Sequence, residues 1–144
     1  MQVGIIGGSS VDGKTYAAAE EVGRLLASRG ATVIGGGLSG VMEASAKGAK
    51  SAGGTTIGIV PGSDKRSANS YIDHIIATDM GHARNVIIVH TSDALIAIGG
   101  EYGTLSEIAI ALKLGKKVIS LDSWDITGVK KASSPEEAVS LVLG

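Results

Sequence analysis

Glycine-rich turns that could bind an anion occur at three places in this sequence. In the third, residues 99–104 read Gly-Gly-Glu-Tyr-Gly-Thr and separate the apolar run Ala94–Ile98 from a helical pattern beginning at Leu105. The unpaired N–H groups and the dipole at such a helix start attract an anion, and glycine lets a ligand approach the backbone closely. The sequence therefore predicts a phosphate-binding turn. Its predicted binding residues are Gly100, Glu101, Tyr102, Gly103 and Thr104.

The first turn, residues 8–15, matches the P-loop pattern Gly-x-x-x-x-Gly-Lys-Ser/Thr and follows a predicted strand. A P-loop ATPase also needs an acidic magnesium ligand, for which Asp122 at the end of a later strand is conceivable. Neither a catalytic base nor an arginine finger is evident. The alternative is an ordinary strand-to-helix turn in which Lys14 is solvated. The predicted ligand contacts of this turn are Gly8, Ser9 and Ser10.

The second turn, residues 35–42, contains three consecutive glycines after a predicted strand. Each glycine costs backbone entropy on folding, so a run of three favours a position where a phosphate approaches the backbone. The alternative is a tight turn with a purely structural role. The predicted binding residues of this turn are Gly36, Gly37, Gly40 and Met42.

Short apolar runs alternate with helical patterns along the chain, which predicts an α/β protein with a parallel sheet. The predicted strands are Gln2–Gly7, Ala31–Ile34, Thr55–Val60, Tyr71–Ala77, Ala94–Ile98 and Lys117–Leu121. The predicted helices are Thr15–Arg29, Val41–Lys50, Gly81–Thr91, Leu105–Leu114 and a last one that starts after Ser134. We expect a single Rossmann-like, doubly wound domain over residues 1–144. All three turns would then meet at the carboxyl edge of the sheet.

Composition excludes several classes of function. A net charge of −1 and 3% aromatic residues argue against a nucleic-acid partner, and no apolar run reaches the roughly 20 residues of a membrane span. The absence of cysteine fits a cytoplasmic protein. His74, His82 and His90 show no metal-ligand spacing, so we predict no metal site and no resident cofactor, and we interpret these histidines as structural or solvated.

Together, the second and third turns resemble the Lonely-guy superfamily of cytokinin-activating phosphoribohydrolases. The shared features are Gly-Gly-Gly-x-x-Gly-x-Met at 35–42, a following arginine, and a Gly-x-Gly-Thr-x-x-Glu pattern ending at Glu107. The resemblance implies a Rossmann-like homodimer that binds a nucleoside monophosphate, with Arg84 and Glu107 catalysing N-glycosidic cleavage. The sequence from Leu105 to Lys116 is similar to a sub-branch that includes a molybdenum cofactor carrier.

The chain departs from the family pattern at four positions, because Gly99 replaces a proline, Glu101 a glycine, Gly81 a methionine and Asn85 a lysine. We expect the Glu101 carboxylate to repel a phosphate at this turn. Glu107 also has a local interpretation, because Thr104 and Glu107 fit a capping box. Three functions therefore stay open: a nucleoside 5′-monophosphate phosphoribohydrolase, a non-catalytic carrier of a nucleotide or pterin cofactor, and, more remotely, a P-loop NTPase.

Overall fold

The computed structural model describes residues 1–144, which form one parallel sheet flanked by five α-helices. The strands are β1 Gln2–Gly7, β2 Thr32–Gly35, β3 Thr56–Val60, β4 His74–Ala77, β5 Ala94–Ile98, β6 Lys117–Leu121 and β7 Lys130–Ala132. The helices are α1 Gly13–Ser28, α2 Val41–Ser51, α3 Arg84–Thr91, α4 Tyr102–Lys113 and α5 Pro135–Leu143. None of these helices combines the length and apolar character that crossing a bilayer requires.

The strand order is β4-β3-β2-β1-β5-β6-β7, and every neighbouring pair is parallel. The chain builds the sheet outward from β1 to β4 and then returns to place β5 on the other side of β1. This reversal creates a crevice at the carboxyl ends of β1 and β5, the usual position of a ligand in an open α/β sheet. The predicted Rossmann-like, doubly wound fold is confirmed.

Helices cover both faces of the sheet, which explains why the central strands are apolar along their whole length. In β5, Ala94, Ile96 and Ile98 join a core with α1, α2 and α5, whereas Leu95 and Ala97 join a second core with α3 and α4. All five residues of β5 are buried. The sheet is therefore a rigid platform, and the turns at its carboxyl edge are held from both sides.

Glycines allow α1 and α2 to pack with their backbones in contact. A Cβ atom at Gly23 would overlap the Ser45 carbonyl oxygen, and one at Gly48 would overlap the Glu20 carbonyl oxygen. Because α2 starts directly after the second glycine-rich turn, this close packing fixes the position of that turn relative to the first.

Several elements differ from the sequence prediction. Helix α3 begins at Arg84 rather than Gly81, because residues 81–83 form a separate 3-10 turn. Helix α4 begins at Tyr102 rather than Leu105, so part of the predicted turn is its first helical turn. Strand β4 begins at His74, because side-chain bonds hold the preceding residues in a turn, including one from the Tyr71 N–H to Asn69 Oδ1 at 3.0 Å. Strand β7 is missing from the prediction, since three residues with two lysines carry no apolar pattern.

Candidate functional site

A cavity of about 670 Å³ lies at the carboxyl edge of the sheet, where β1, β2 and β5 end. Residues of all three glycine-rich turns line it, together with side chains from α3 and α4. The predicted site residues in its lining are Gly8, Ser9, Ser10, Gly36, Met42, Arg84, Gly100, Glu101, Tyr102, Gly103, Thr104 and Glu107. The structure thus brings together residues that are separated by up to a hundred positions in the chain.

Gly37 and Gly40 lie outside the lining of this cavity. Gly37 has φ +77°, its carbonyl accepts from the Asn69 N–H at 2.8 Å, and an added Cβ would lie 2.7 Å from Val60 Cγ1. A Cβ at Gly40 would overlap the carbonyl oxygen of Gly8. Both glycines therefore permit close packing between the second turn and its neighbours, and neither faces the cavity.

Helix α4 presents a free N-terminus to the cavity. Its N-cap residue is Glu101, whose side chain makes no capping bond, and the N–H groups of Tyr102, Gly103 and Thr104 have no hydrogen-bond partner within the chain. The Leu105 N–H is the first in the helix to be paired, at 3.0 Å from the Glu101 carbonyl oxygen. Three unpaired donors at the positive end of a helix dipole form a binding site for an anion.

The first turn lacks the free helix N-terminus of a P-loop. Helix α1 is capped by Asp12, whose Oδ1 accepts from the Thr15 N–H at 2.7 Å. A carboxylate therefore already occupies the place where a P-loop would hold a phosphate. Lys14 is exposed and does not line the cavity. This geometry disfavours the NTPase interpretation.

Arg84, at the start of α3, is buried with 7% of its surface exposed. Its Nε donates to the Ile59 carbonyl at 2.8 Å, Nη1 donates to Asn85 Oδ1, and Nη2 lies 3.5 Å from the Gly36 carbonyl. A side chain at Gly36 would press on this guanidinium, because its Cβ would lie 2.9 Å from Nη2. Three of the five guanidinium N–H groups are used by the protein, so two are left for a ligand.

Glu107, on the second turn of α4, faces Arg84 within the cavity and also has 7% of its surface exposed. Its carboxyl group makes no hydrogen bond or salt bridge within the chain, and its oxygens open onto the cavity, since no fully buried side-chain oxygen in the structure lacks a partner. Burial raises the pKa of Glu107 to about 8, and the nearby Arg84 opposes this shift. Burial likewise lowers the pKa of Arg84, an effect that Glu107 opposes. At neutral pH the carboxyl is therefore largely protonated and able to donate a hydrogen bond.

The capping-box interpretation of Thr104 and Glu107 is wrong. Because α4 starts at Tyr102, Thr104 is already the third helical residue and cannot serve as the N-cap. The equivalent signal before α5 does cap that helix, since Ser134 Oγ accepts from the Glu137 N–H at 3.1 Å. The local sequence is alike at Thr104–Glu107 and Ser134–Glu137, so it does not show which pattern caps a helix. The structure does, because Glu107 is buried in the cavity and Glu137 is exposed.

The charged groups around the cavity are predominantly acidic. The carboxylates of Asp12 and Glu101 face it against the Arg84 guanidinium, while the Glu107 carboxyl is largely protonated. This balance favours a ligand that carries one anionic group, placed on the α4 N-terminus, over a polyanion such as a nucleoside triphosphate. The Glu101 carboxylate is exposed and makes no hydrogen bond, so its repulsion of an anion is screened by solvent.

Eleven residues of the lining are absent from the predicted site, and four of them carry polar side chains: Asp12, Thr15, His82 and Asn85. Asn85 is 6% exposed and orients Arg84 through its Oδ1 atom, while its amide nitrogen has no partner. His82 was interpreted as structural or solvated. In the sequence, the only signal that His82 and Asn85 belong to the site is their position within two residues of Arg84.

The fold and the cavity define a Rossmann-like protein with a small-molecule site at the switch point of its sheet. The family model described as the SLOG cluster4 family matches residues 1–142, and the chain belongs to that family. This assignment and the relatives below confirm the predicted resemblance to the Lonely-guy superfamily.

Among curated proteins, the chain is 58% identical over 141 residues to an uncharacterised protein of Archaeoglobus fulgidus, covering 97% of this chain and 93% of that protein. It is 36% identical over 115 residues to the cytokinin riboside 5′-monophosphate phosphoribohydrolase of Mycobacterium tuberculosis. That match covers 74% of this chain and 62% of the enzyme, so part of the enzyme has no counterpart here.

Among solved structures, the molybdenum cofactor binding protein of Rippkaea orientalis superposes with a TM-score of 0.93 and 37% identity, covering 99% of this chain and 94% of that one. The molybdenum cofactor carrier protein of Chlamydomonas reinhardtii gives a TM-score of 0.87 and 33% identity, covering 99% of this chain and 95% of that one. The likeness to these proteins extends over the whole chain.

Proposed function

We propose that the cavity binds a phosphorylated, nucleotide-like small molecule, with its phosphate on the first turn of α4. The observation that carries this proposal is the set of unpaired N–H groups of Tyr102, Gly103 and Thr104 at the cavity wall. A phosphate group accepts several such bonds at once and also interacts favourably with the helix dipole. The sugar of the ligand and its glycosidic bond would then lie toward the buried pair Arg84 and Glu107.

Hydrolysis of an N-glycosidic bond is the reaction that this buried pair could serve. In it the C1′–N bond breaks, the base nitrogen takes the electron pair and a proton, and water adds to C1′ to give ribose 5-phosphate. A protonated Glu107 can supply that proton, and the resulting carboxylate can stabilise the oxocarbenium-like carbon, orient the water and accept the proton that the water loses as it adds to C1′. The two free N–H groups of Arg84 can bind the leaving base or the sugar.

Non-catalytic carriage of a nucleotide or pterin cofactor is the second candidate. It is favoured by the structural likeness, because the molybdenum cofactor proteins superpose over 99% of this chain with TM-scores of 0.93 and 0.87. Asn85 also replaces the lysine that follows the family's arginine. A carrier needs the anion site and the cavity but no group that promotes bond cleavage.

Replacing Gly103 by aspartate is expected to weaken AMP binding by about 100-fold, because a carboxylate would occupy the anion site and repel the phosphate. The fold should tolerate this change, since a Cβ at Gly103 has no neighbour within 4 Å. Ser106→Asp is the matched control, because it adds the same charge on the exposed side of the same helix. Titration calorimetry measures both affinities, and unchanged binding by Gly103→Asp would place the phosphate elsewhere.

Incubation with AMP also distinguishes the two candidate functions, because only the hydrolase releases adenine. Chromatography detects free adenine, whose release by the wild type but not by Glu107→Gln would support the hydrolase. Binding of AMP without any release would support the carrier. If the wild type binds neither AMP nor ribose 5-phosphate, the anion site on α4 is refuted together with both functions.

We further propose that the protein is a homodimer. Three of its exposed large hydrophobic residues, Ile76, Met80 and Val86, fall within one short segment that runs from β4 to the first turn of α3. Exposed apolar side chains grouped in this way are typical of an interface. Light scattering on the intact chain should give twice the 14.4 kDa monomer mass, and Val86→Glu should shift it toward the monomer. A wild-type monomer at micromolar concentration would refute the proposal.

A further inference from the structure

An aromatic pair lies at the mouth of the cavity. Tyr102, the first residue of α4, lines the cavity although 80% of its surface is exposed. Its ring packs against Trp124, with ring centroids 6.1 Å apart and planes inclined by 36°. The protein has one tryptophan, three tyrosines and no phenylalanine, so half of its aromatic residues are at this position.

Trp124 holds this arrangement in place. Its indole Nε1 donates to the Glu101 carbonyl oxygen at 3.1 Å, which ties the segment after β6 to the start of α4. Its ring is partly buried and packs against the core formed with α3 and α4. Tyr102 is therefore supported from behind by a fixed ring, while most of its own surface faces solvent and the cavity.

We infer that Tyr102, supported by Trp124, is a stacking surface for a planar heteroaromatic ring of the ligand, such as a purine or a pterin. This inference rests on the proposed function, because it concerns the part of the ligand that is not phosphate. The two rings contact each other and leave no slot between them, so the ligand ring would stack on the exposed surface of Tyr102.

The position of Tyr102 fits a ligand of nucleotide size. Helical side chains lean toward the N-terminus of their helix, so the Tyr102 ring lies beside the anion site formed by its own N–H and its neighbours. A phosphate and a ring of one small molecule can then be bound by the same helical turn. Stacking accepts any planar base, so this contact selects for a flat ring and not for one base.

The test compares AMP with ribose 5-phosphate, which has the same sugar and phosphate but no ring. Tyr102→Ala should weaken AMP binding by about 10-fold and leave ribose 5-phosphate binding unchanged. Tyr102→Phe should retain the wild-type affinity for AMP, because it keeps the ring. Titration calorimetry on the intact chain measures all of these affinities.

Equal weakening of both ligands, or unchanged AMP binding by Tyr102→Ala, would overturn the inference while leaving the proposed anion site intact. If the wild type binds neither phosphate ligand, the proposed function fails, and adenosine then tests stacking alone. Upfield NMR shifts of the adenine protons that disappear with Tyr102→Ala would support the stacking surface. Shifts that are absent, or that persist in the variant, would refute it.

Discussion

A Gly100→Ala variant is expected to lose about 2–4 kcal/mol of unfolding free energy and, with it, the ordered start of α4. Gly100 has φ +91°, a conformation that costs alanine roughly 1–2 kcal/mol. Its Cβ would also overlap Thr104 Oγ1 and lie 2.5 Å from Thr104 Cβ. Thr104 is buried, so neither side chain can move away easily.

Gly103→Ala is the matched control for this prediction. Gly103 lies three residues further on, in the first turn of α4, has no positive φ, and a Cβ there has no neighbour within 4 Å. Alanine should therefore be neutral or stabilising by up to about 1 kcal/mol, the difference in helix propensity. Chemical denaturation measures both free energies. Equal stability of the two variants would show that the turn before α4 can rearrange.

Glu107→Gln is expected to stabilise the protein at pH 8 by on the order of 4 kcal/mol, with little effect at pH 4.5. Burial raises the pKa of Glu107 from 4.5 to about 8. Between these values the unfolded chain loses the Glu107 proton while the folded protein keeps it, so wild-type stability falls as pH rises through this window. Glutamine does not ionise, and the variant avoids this loss.

The measurement is the difference in unfolding free energy between wild type and Glu107→Gln across pH 4.5–8. Glu101→Gln is the control, because it makes the same chemical change at an exposed side chain that lines the same cavity. A constant difference between wild type and Glu107→Gln would mean that Glu107 ionises normally. It would then act as a fixed anion in the cavity and could not supply a proton.

A buried carboxyl that lowers stability at neutral pH points to a functional group. Glu107 receives no hydrogen bond, and its nearest cation, Arg84, bonds to two backbone carbonyls and Asn85 instead. Natural proteins retain residues that lower the stability of the fold mainly at sites where activity requires them. This agrees with either candidate function, because a protonated carboxyl can donate to a base or bind a heterocycle.

The sequence by itself determined the fold and the region of the candidate site. The alternation of apolar runs and helical patterns predicts a parallel sheet, and glycines after the strands predict anion-binding turns at its carboxyl edge. These signals are local, because helical and strand periodicities and turn chemistry depend on residues only a few positions apart. For this reason six of the seven strands and all five helices could be predicted.

Only the tertiary structure decided what each candidate residue faces. Gly36 and Gly37 are neighbours of the same type, yet Gly36 leaves room for Arg84, 48 positions away, and Gly37 packs on β3. Glu107 fits a capping box locally but faces the cavity, because α4 starts one turn earlier than its periodicity indicates. Burial and long-range contacts depend on strand order and helix packing, and these arise only when distant segments meet.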